Sequence, residues 1–300
     1  MALNLAAYRY RHVLAADGGP VEKLELSDIA VLDRRQFLAT AFLKEGLGGK
    51  LWRNSVFSVA DGGGTADSPM VARFMAISEA MERWAHWQMH EGAAGHRYGF
   101  DVDPSSNGMA AFPGLFSRQA RSSALLEAAE RFNLLHWWEG HLPAAESASP
   151  WAGVRVATIC SEAPGVTVIV FKRIAGAFVA YGHAAAMDHE TACRKAAGEM
   201  ERHAQIIMRF SRVHAGRLTG GLPDDAHPIE RRSLFFATES GHELFLERLR
   251  SAPRRAAARP KLVFDGAVPG PWSRYADVWR VVYEPPSDRF LGPEENYFLW

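Results

Sequence analysis

The chemically conspicuous residues are carboxylates paired at helical spacing. Glu79 and Glu82, followed by Arg83, recur as Glu127 and Glu130, followed by Arg131, always 48 positions on (79 to 127, 82 to 130, 83 to 131). Small residues and an aromatic, Trp84 or Phe132, accompany both copies. Residues three apart share one face of a helix, so each pair of glutamates projects together. The adjacent arginine sits about 100° around the helix, from where it can lean toward another anion. Two such helices packed side by side would line one cleft with four carboxylates. A bare cluster repels itself and raises some of its pKa values. Divalent cations relieve that repulsion, and magnesium completes its shell with water and phosphate oxygens. The chemistry implied is a triphosphate clamped by magnesium, with arginines on its oxygens. One Glu–Arg copy alone reads as a solvated, salt-bridged face. The repetition is what points further.

The elements that must position these groups follow from periodicity. Apolar positions recur at three and four from residue 69 onward, which predicts a long helix. A second helix is predicted over 117–139 and a third over 190–212, with shorter ones over 228–238 and 242–250. Residues 154–160, 166–173 and 177–181 are rich in Val, Ile, Thr and Phe and predict antiparallel meander strands. Late strands are predicted over 262–265 and 278–283. A helix over 33–44 is expected, ended by Gly46, Gly48 and Gly49, and a strand over 51–60 to follow. Asp61-Gly62-Gly63-Gly64 is expected to break regular structure. A strand-like piece is expected within 92–103. Turn-rich 104–113, the 143–150 segment and basic 254–261 read as loops. This irregular interleaving argues for an α+β fold, mainly antiparallel sheet packed with long helices, over a doubly wound one. With no clean linker, residues 1–300 are expected to form a single domain.

Composition excludes several classes. The 300 residues carry 34 basic and 34 acidic side chains, so there is no bulk field for nucleic acid or an anionic membrane. No stretch approaches the roughly 20 apolar residues that span a bilayer, and the first dozen residues lack a signal-peptide core. The cytoplasm is the expected compartment. Cys160 and Cys193 are too few and too far apart for a zinc site or a disulfide scaffold. Cys193 has basic neighbours, but a buried structural thiol is the simpler reading. His90, His96, His141, His183, His189 and His203 show no His-Glu-x-x-His or other ligand spacing. His86 and His136, set among aromatics, read as packing residues.

Three stretches resemble the YcaO family of enzymes that use ATP to activate a peptide backbone amide. They are residues 62–84, then Ser105-Ser106-Asn107-Gly108-Met109-Ala110-Ala111 leading into Glu127–Arg131, then Gly182-His183-Ala184-Ala185 followed by 192–199. The likeness is strongest over 51–212. It implies a YcaO-like fold and an ATP site without a P-loop. On this resemblance Glu79, Glu82, Glu127 and Glu130 hold Mg2+. Arg83, Ser106, Asn107, Arg131, Lys195, Glu199 and Arg202 contact the nucleotide. Lys195 and Glu199, four apart, could equally be an intrahelical pair. The implied function is ATP- and Mg-dependent activation of a backbone amide in a ribosomally made peptide, giving an azoline, amidine or thioamide. A precursor peptide, a separate partner protein for leader recognition or sulfur delivery, and a homodimer are implied with it. Departures from the family pattern are Met75, where a Ser is usual, Leu115, Gln119 and the C-terminal tail. They keep a second reading open: a catalytically degenerate YcaO-like subunit that binds a precursor peptide or partner enzyme.

Overall fold

The chain opens with a one-turn helix, α1 (Ala6–Arg9), and enters a long hairpin of β1 (Val21–Val31) and β2 (Arg34–Leu43). The computed structural model describes residues 4–48, 56–57, 59–90, 92, 95–100, 107–174, 178–214, 218, 222, 226–287 and 289–300. The elements that follow are β3 (Gly62–Ala66), α2 (Pro69–His90), β4 (Asn107–Phe112), α3 (Arg118–Trp138), β5 (Ala144–Ser147), β6 (Arg155–Ile159), β7 (Val166–Ile174) and β8 (Phe178–Ala186). Then come α4 (His189–Val213), α5 (Pro228–Phe236), α6 (Glu239–Arg250), β9 (Lys261–Ala267) and β10 (Asp277–Glu284). The strands form three sheets, ordered β1-β2-β3, β4-β10-β9 and β5-β6-β7-β8. The α+β class expected from the sequence is the class observed.

The described chain divides into two units of packing. The first comprises 1–51, 59–128 and 262–283, the second 52–58, 129–261 and 284–300, so one boundary falls within α3. In the first unit, α2 lays Ala72, Ala76, Ile77, Ala80 and Met81 against Ala39, Ala41 and Leu43 of β2, with Trp272 and Val278 in the same core. In the second, an aromatic cluster fills the interior: Phe245 lies 5.0 Å from Phe171, 5.0 Å from Tyr181 and 4.9 Å from Phe298, ring to ring.

Several local expectations are corrected. The segment 33–44 is not a helix but strand β2, paired with β1 from Val31↔Arg34 to Val21↔Leu43. Its helix-forming Arg, Leu and Ala are overridden by alternation, since Ala39, Ala41 and Leu43 turn inward. The glycines at 62–64 do not break structure but form β3, paired with β2. The 104–113 loop contains β4, paired with β10, and the 143–150 loop contains the edge strand β5. All three strands are built mainly from small residues, with Thr65 their one β-branched member, so the β-branched signal is weak. The described part of 92–103 holds a 3-10 turn, Gly95–Tyr98, where a strand was expected. Most of the strand expected over 51–60 lies outside the described residues; Val56 and Phe57 form a bend.

Candidate functional site

One local device holds the acidic positions three times. A Cβ added at Gly62 of β3 would stand 2.2 Å from the Ala76 carbonyl oxygen of α2, so only a glycine lets strand and helix touch there. Gly108 of β4 meets the Ala124 oxygen of α3 at 2.2 Å in the same way, and Gly182 of β8 meets the Ala196 oxygen of α4 at 2.1 Å. The residue after each glycine then offers its backbone N–H to a helix carboxylate. Gly63 donates to Glu79 at 2.9 Å, Met109 to Glu127 at 3.0 Å, and His183 to Glu199. Helix positions correspond throughout: Ala72, Ala76 and Glu79; Ala120, Ala124 and Glu127; Ala192, Ala196 and Glu199. The repeat therefore has a third copy. It is masked in the sequence because Glu-x-x-Glu-Arg there reads Glu199-x-x-Arg202-His203.

In the first unit, Glu79 is half-exposed and lies 3.8 Å from Arg83 one turn on. Glu82 is half-buried on the same helix. Asn107 is buried, and its side-chain carbonyl accepts from Arg280 at 3.3 Å. Its amide nitrogen is buried with no hydrogen-bond partner among the described residues. Arg280 also donates to the Gly99 carbonyl at 3.1 Å and stacks 3.9 Å over Phe100. Ser106 lies outside the described residues.

The second unit gathers Glu130, His183 and Glu199, whose donor atoms all lie within 4.8 Å of one another. Glu130 is held at both oxygens, 2.7 Å from His183 Nδ1 and 2.9 Å from the Ala185 N–H that donates to it. Glu199 lies 3.7 Å from both His183 and Arg202. Burial opposes charge on His183, but the hydrogen bond and charge of Glu130, then the charge of Glu199, outweigh it and raise the imidazole pKa. Burial raises the Glu199 carboxyl, Glu130 adds to the rise, and His183 and Arg202 work against it. Arg131 acts on His183 through its charge. Lys195 is exposed and, among the described residues, forms no ion pair with Glu199. The intrahelical alternative for that pair does not form.

His183 is the member that the sequence hid. Its partners come from two other elements, α3 and α4, so no linear spacing announces it. Its traces in the sequence are its place after the strand glycine in the third copy and within the stretch Gly182-His183-Ala184-Ala185. Cys193 is a buried thiol, as expected, while Cys160 is exposed. Met75 is exposed on α2, one turn before Glu79.

No protein-family model and no curated protein matches the chain. Solved structures do. One is a chain of the E. coli microcin synthetase McbBCD complex with pro-MccB17 bound, with TM-score 0.50 and 12 % identity over 87 % of each chain. Another is YcaO from Methanopyrus kandleri bound with AMPPCP and Mg2+, with TM-score 0.45 and 13 % identity, covering 91 % of this chain and 86 % of that one. At such identities a likeness concerns fold alone, and the argument rests on the first. No helix among the described residues is long and apolar enough to cross a membrane. The long helices on mainly antiparallel sheet, the order of the three acidic strand–helix copies and the structural match together give this chain a YcaO-like fold.

Proposed function

We propose that the chain activates a peptide backbone amide with ATP and Mg2+, during maturation of a ribosomally made peptide. The observation that carries the reading is the Glu130, His183 and Glu199 cluster, built on strand–helix contacts that leave its carboxylates little freedom. The donor set fits magnesium: two carboxylates in a confined site, with Arg131 and Arg202 close by for phosphate oxygens. Glu79, Glu82 and Glu127 are proposed to serve magnesium as well. Arg83, Ser106, Asn107 and Lys195 are proposed nucleotide contacts. Magnesium, when bound, neutralises phosphate charge during transfer.

The chain's own residues orient and compensate. The Ala185 N–H and His183 hold the Glu130 carboxylate in one orientation. The hydrogen bond and charge of Glu130 raise the His183 pKa, which favours a protonated ring beside that carboxylate. The microcin complex has a peptide bound, which supports a precursor peptide and a separate partner protein here. A homodimer in the cytoplasm completes the proposal. Met75, exposed one turn before Glu79 where the resemblance expects a serine, favours a second reading, a non-catalytic subunit that binds a precursor peptide or partner enzyme.

Calorimetry with ATP and magnesium tests both. Wild-type binding that is lost in Glu82→Gln and Glu130→Gln supports the first reading. Binding without turnover of any supplied peptide supports the second. A wild-type chain that binds no nucleotide, with magnesium and partner present, overturns the first.

A further inference from the structure

We propose a second metal site, for a divalent transition metal such as zinc, formed by His136, Glu139 and His141 at the end of α3. It is independent of the nucleotide reading, which uses none of these residues. One ring nitrogen of each histidine and a Glu139 oxygen lie within 4.8 Å of one another.

The chain brings them together by ending a helix. Gly140 takes the left-handed conformation, with φ of +93°. The His141 N–H then donates to the His136 carbonyl at 2.8 Å, and the Gly140 N–H to the Trp137 carbonyl at 3.1 Å. This is a Schellman closure, in which the chain turns back over the last turn of the helix. It returns His141 to the face that carries His136 and Glu139, with the imidazole centroids 5.4 Å apart.

A second, independent observation points to a metal. His136 Nε2 lies 2.9 Å from the Pro285 carbonyl, and His141 Nδ1 lies 2.7 Å from the Ala256 carbonyl. A carbonyl only accepts, so each of these nitrogens carries the proton. In neutral rings the lone pair is then on His136 Nδ1 and His141 Nε2. Metal-bound histidines almost always donate their second N–H to such an oxygen, which fixes tautomer and ring orientation. Glu139 is held likewise: its Oε1 accepts from Tyr297 at 2.7 Å and from Ser287, which leaves Oε2 for a cation. Two imidazoles and one carboxylate are a zinc donor set with a position left for a fourth ligand. The nitrogen donors disfavour magnesium and calcium.

The surroundings define that fourth ligand. Glu139 lines a cavity of about 330 Å3 whose wall also carries Arg248, Arg254, Arg255 and Arg289. Positive charge there works against a bare dication. It favours a metal that keeps an anion, such as hydroxide or a carboxylate, on the cavity side.

The test is titration of the chelator-treated full chain with Zn(II) alone, followed by calorimetry and by thermal unfolding. One equivalent per chain and a raised unfolding midpoint are expected. His141→Ala, checked for fold by circular dichroism, should weaken binding at least about 100-fold, and Tyr297→Phe about 10-fold, the range seen when outer hydrogen bonds to a ligand are lost. His183→Ala should still bind zinc. A wild-type chain that takes up no zinc overturns the proposal. So does zinc binding that survives in folded His141→Ala or vanishes only in His183→Ala, which would put the metal on Glu130 and Glu199.

Discussion

Replacing Gly182 by Ala probes the contact on which the acidic cluster is built. The new Cβ would stand 2.1 Å from the Ala196 carbonyl oxygen and 2.3 Å from the Met200 nitrogen. Non-bonded contact with carbon begins near ~3.5 Å, so α4 must retreat from β8 by more than about 1 Å. Both contacted atoms are backbone, and no rotamer change can relieve them. Overpacking of a filled interior costs about 1–3 kcal/mol, and a backbone obstruction belongs at the upper end. Gly198, sixteen positions on and inside the same α4, is the internal control. A Cβ there would meet nothing within 4 Å. Gly198→Ala should therefore stabilise the helix by about 0.5–1 kcal/mol. Two Gly→Ala changes on one strand–helix pair are thus expected to differ by roughly 3 kcal/mol with opposite signs. Urea unfolding followed by circular dichroism reads the midpoints, with m held common if the native state is otherwise intact. Loss of helix–strand packing should also loosen His183, which follows Gly182. Equal midpoints for Gly182→Ala and wild type would refute the close-contact argument, and with it the equivalence of the three copies.

Two further outcomes are expected. His203 is buried neutral, its pKa lowered to about 4 chiefly by burial, with Nδ1 accepting from the Tyr181 N–H at 3.1 Å. The unfolded ring takes up a proton below about 6.5 while the folded one does not, so this contribution is whole above that pH and is lost as pH falls to about 4. It amounts to roughly 3 kcal/mol in all. Urea midpoints at pH 7 and pH 5 should show the loss, and His203→Gln should flatten it; an unchanged slope in that variant would mean another group is responsible. Thiol titration of the native chain should find Cys160 reacting fast and Cys193, buried and with its thiol pushed up by burial, reacting only in urea. Comparable native rates for both would contradict the packing of α4.

Much of the scaffold was legible because burial imposes a period on the residues that form it. α2, α3 and α4 show apolar positions at three and four, and β6 and β7 carry Val, Ile and Thr between turn signals. β3 and β4 escaped the sequence for the opposite reason: their residues let another backbone approach, as Gly62 and Gly108 do, and small side chains look like turns when read alone. β2 escaped it because its Arg, Leu and Ala favour a helix until pairing with β1 imposes alternation. The repeated Glu79/Glu82 and Glu127/Glu130 pairs were visible because two copies kept the same letters. The copy at Glu199 changed its second carboxylate to Arg202, and its equivalence to the other two emerged from the strand glycine contact and the amide that each strand presents.

By itself, then, the sequence determined which residue types could hold phosphate and cations, and the long helices that carry them, since helical spacing is a local property. The tertiary structure alone decided that Glu130 and Glu199 meet across His183, and that a glycine closure at residue 140 returns His141 to His136 and Glu139. Those contacts join groups whose neighbours are set by packing and chain reversal, and no linear spacing encodes a distance of that kind.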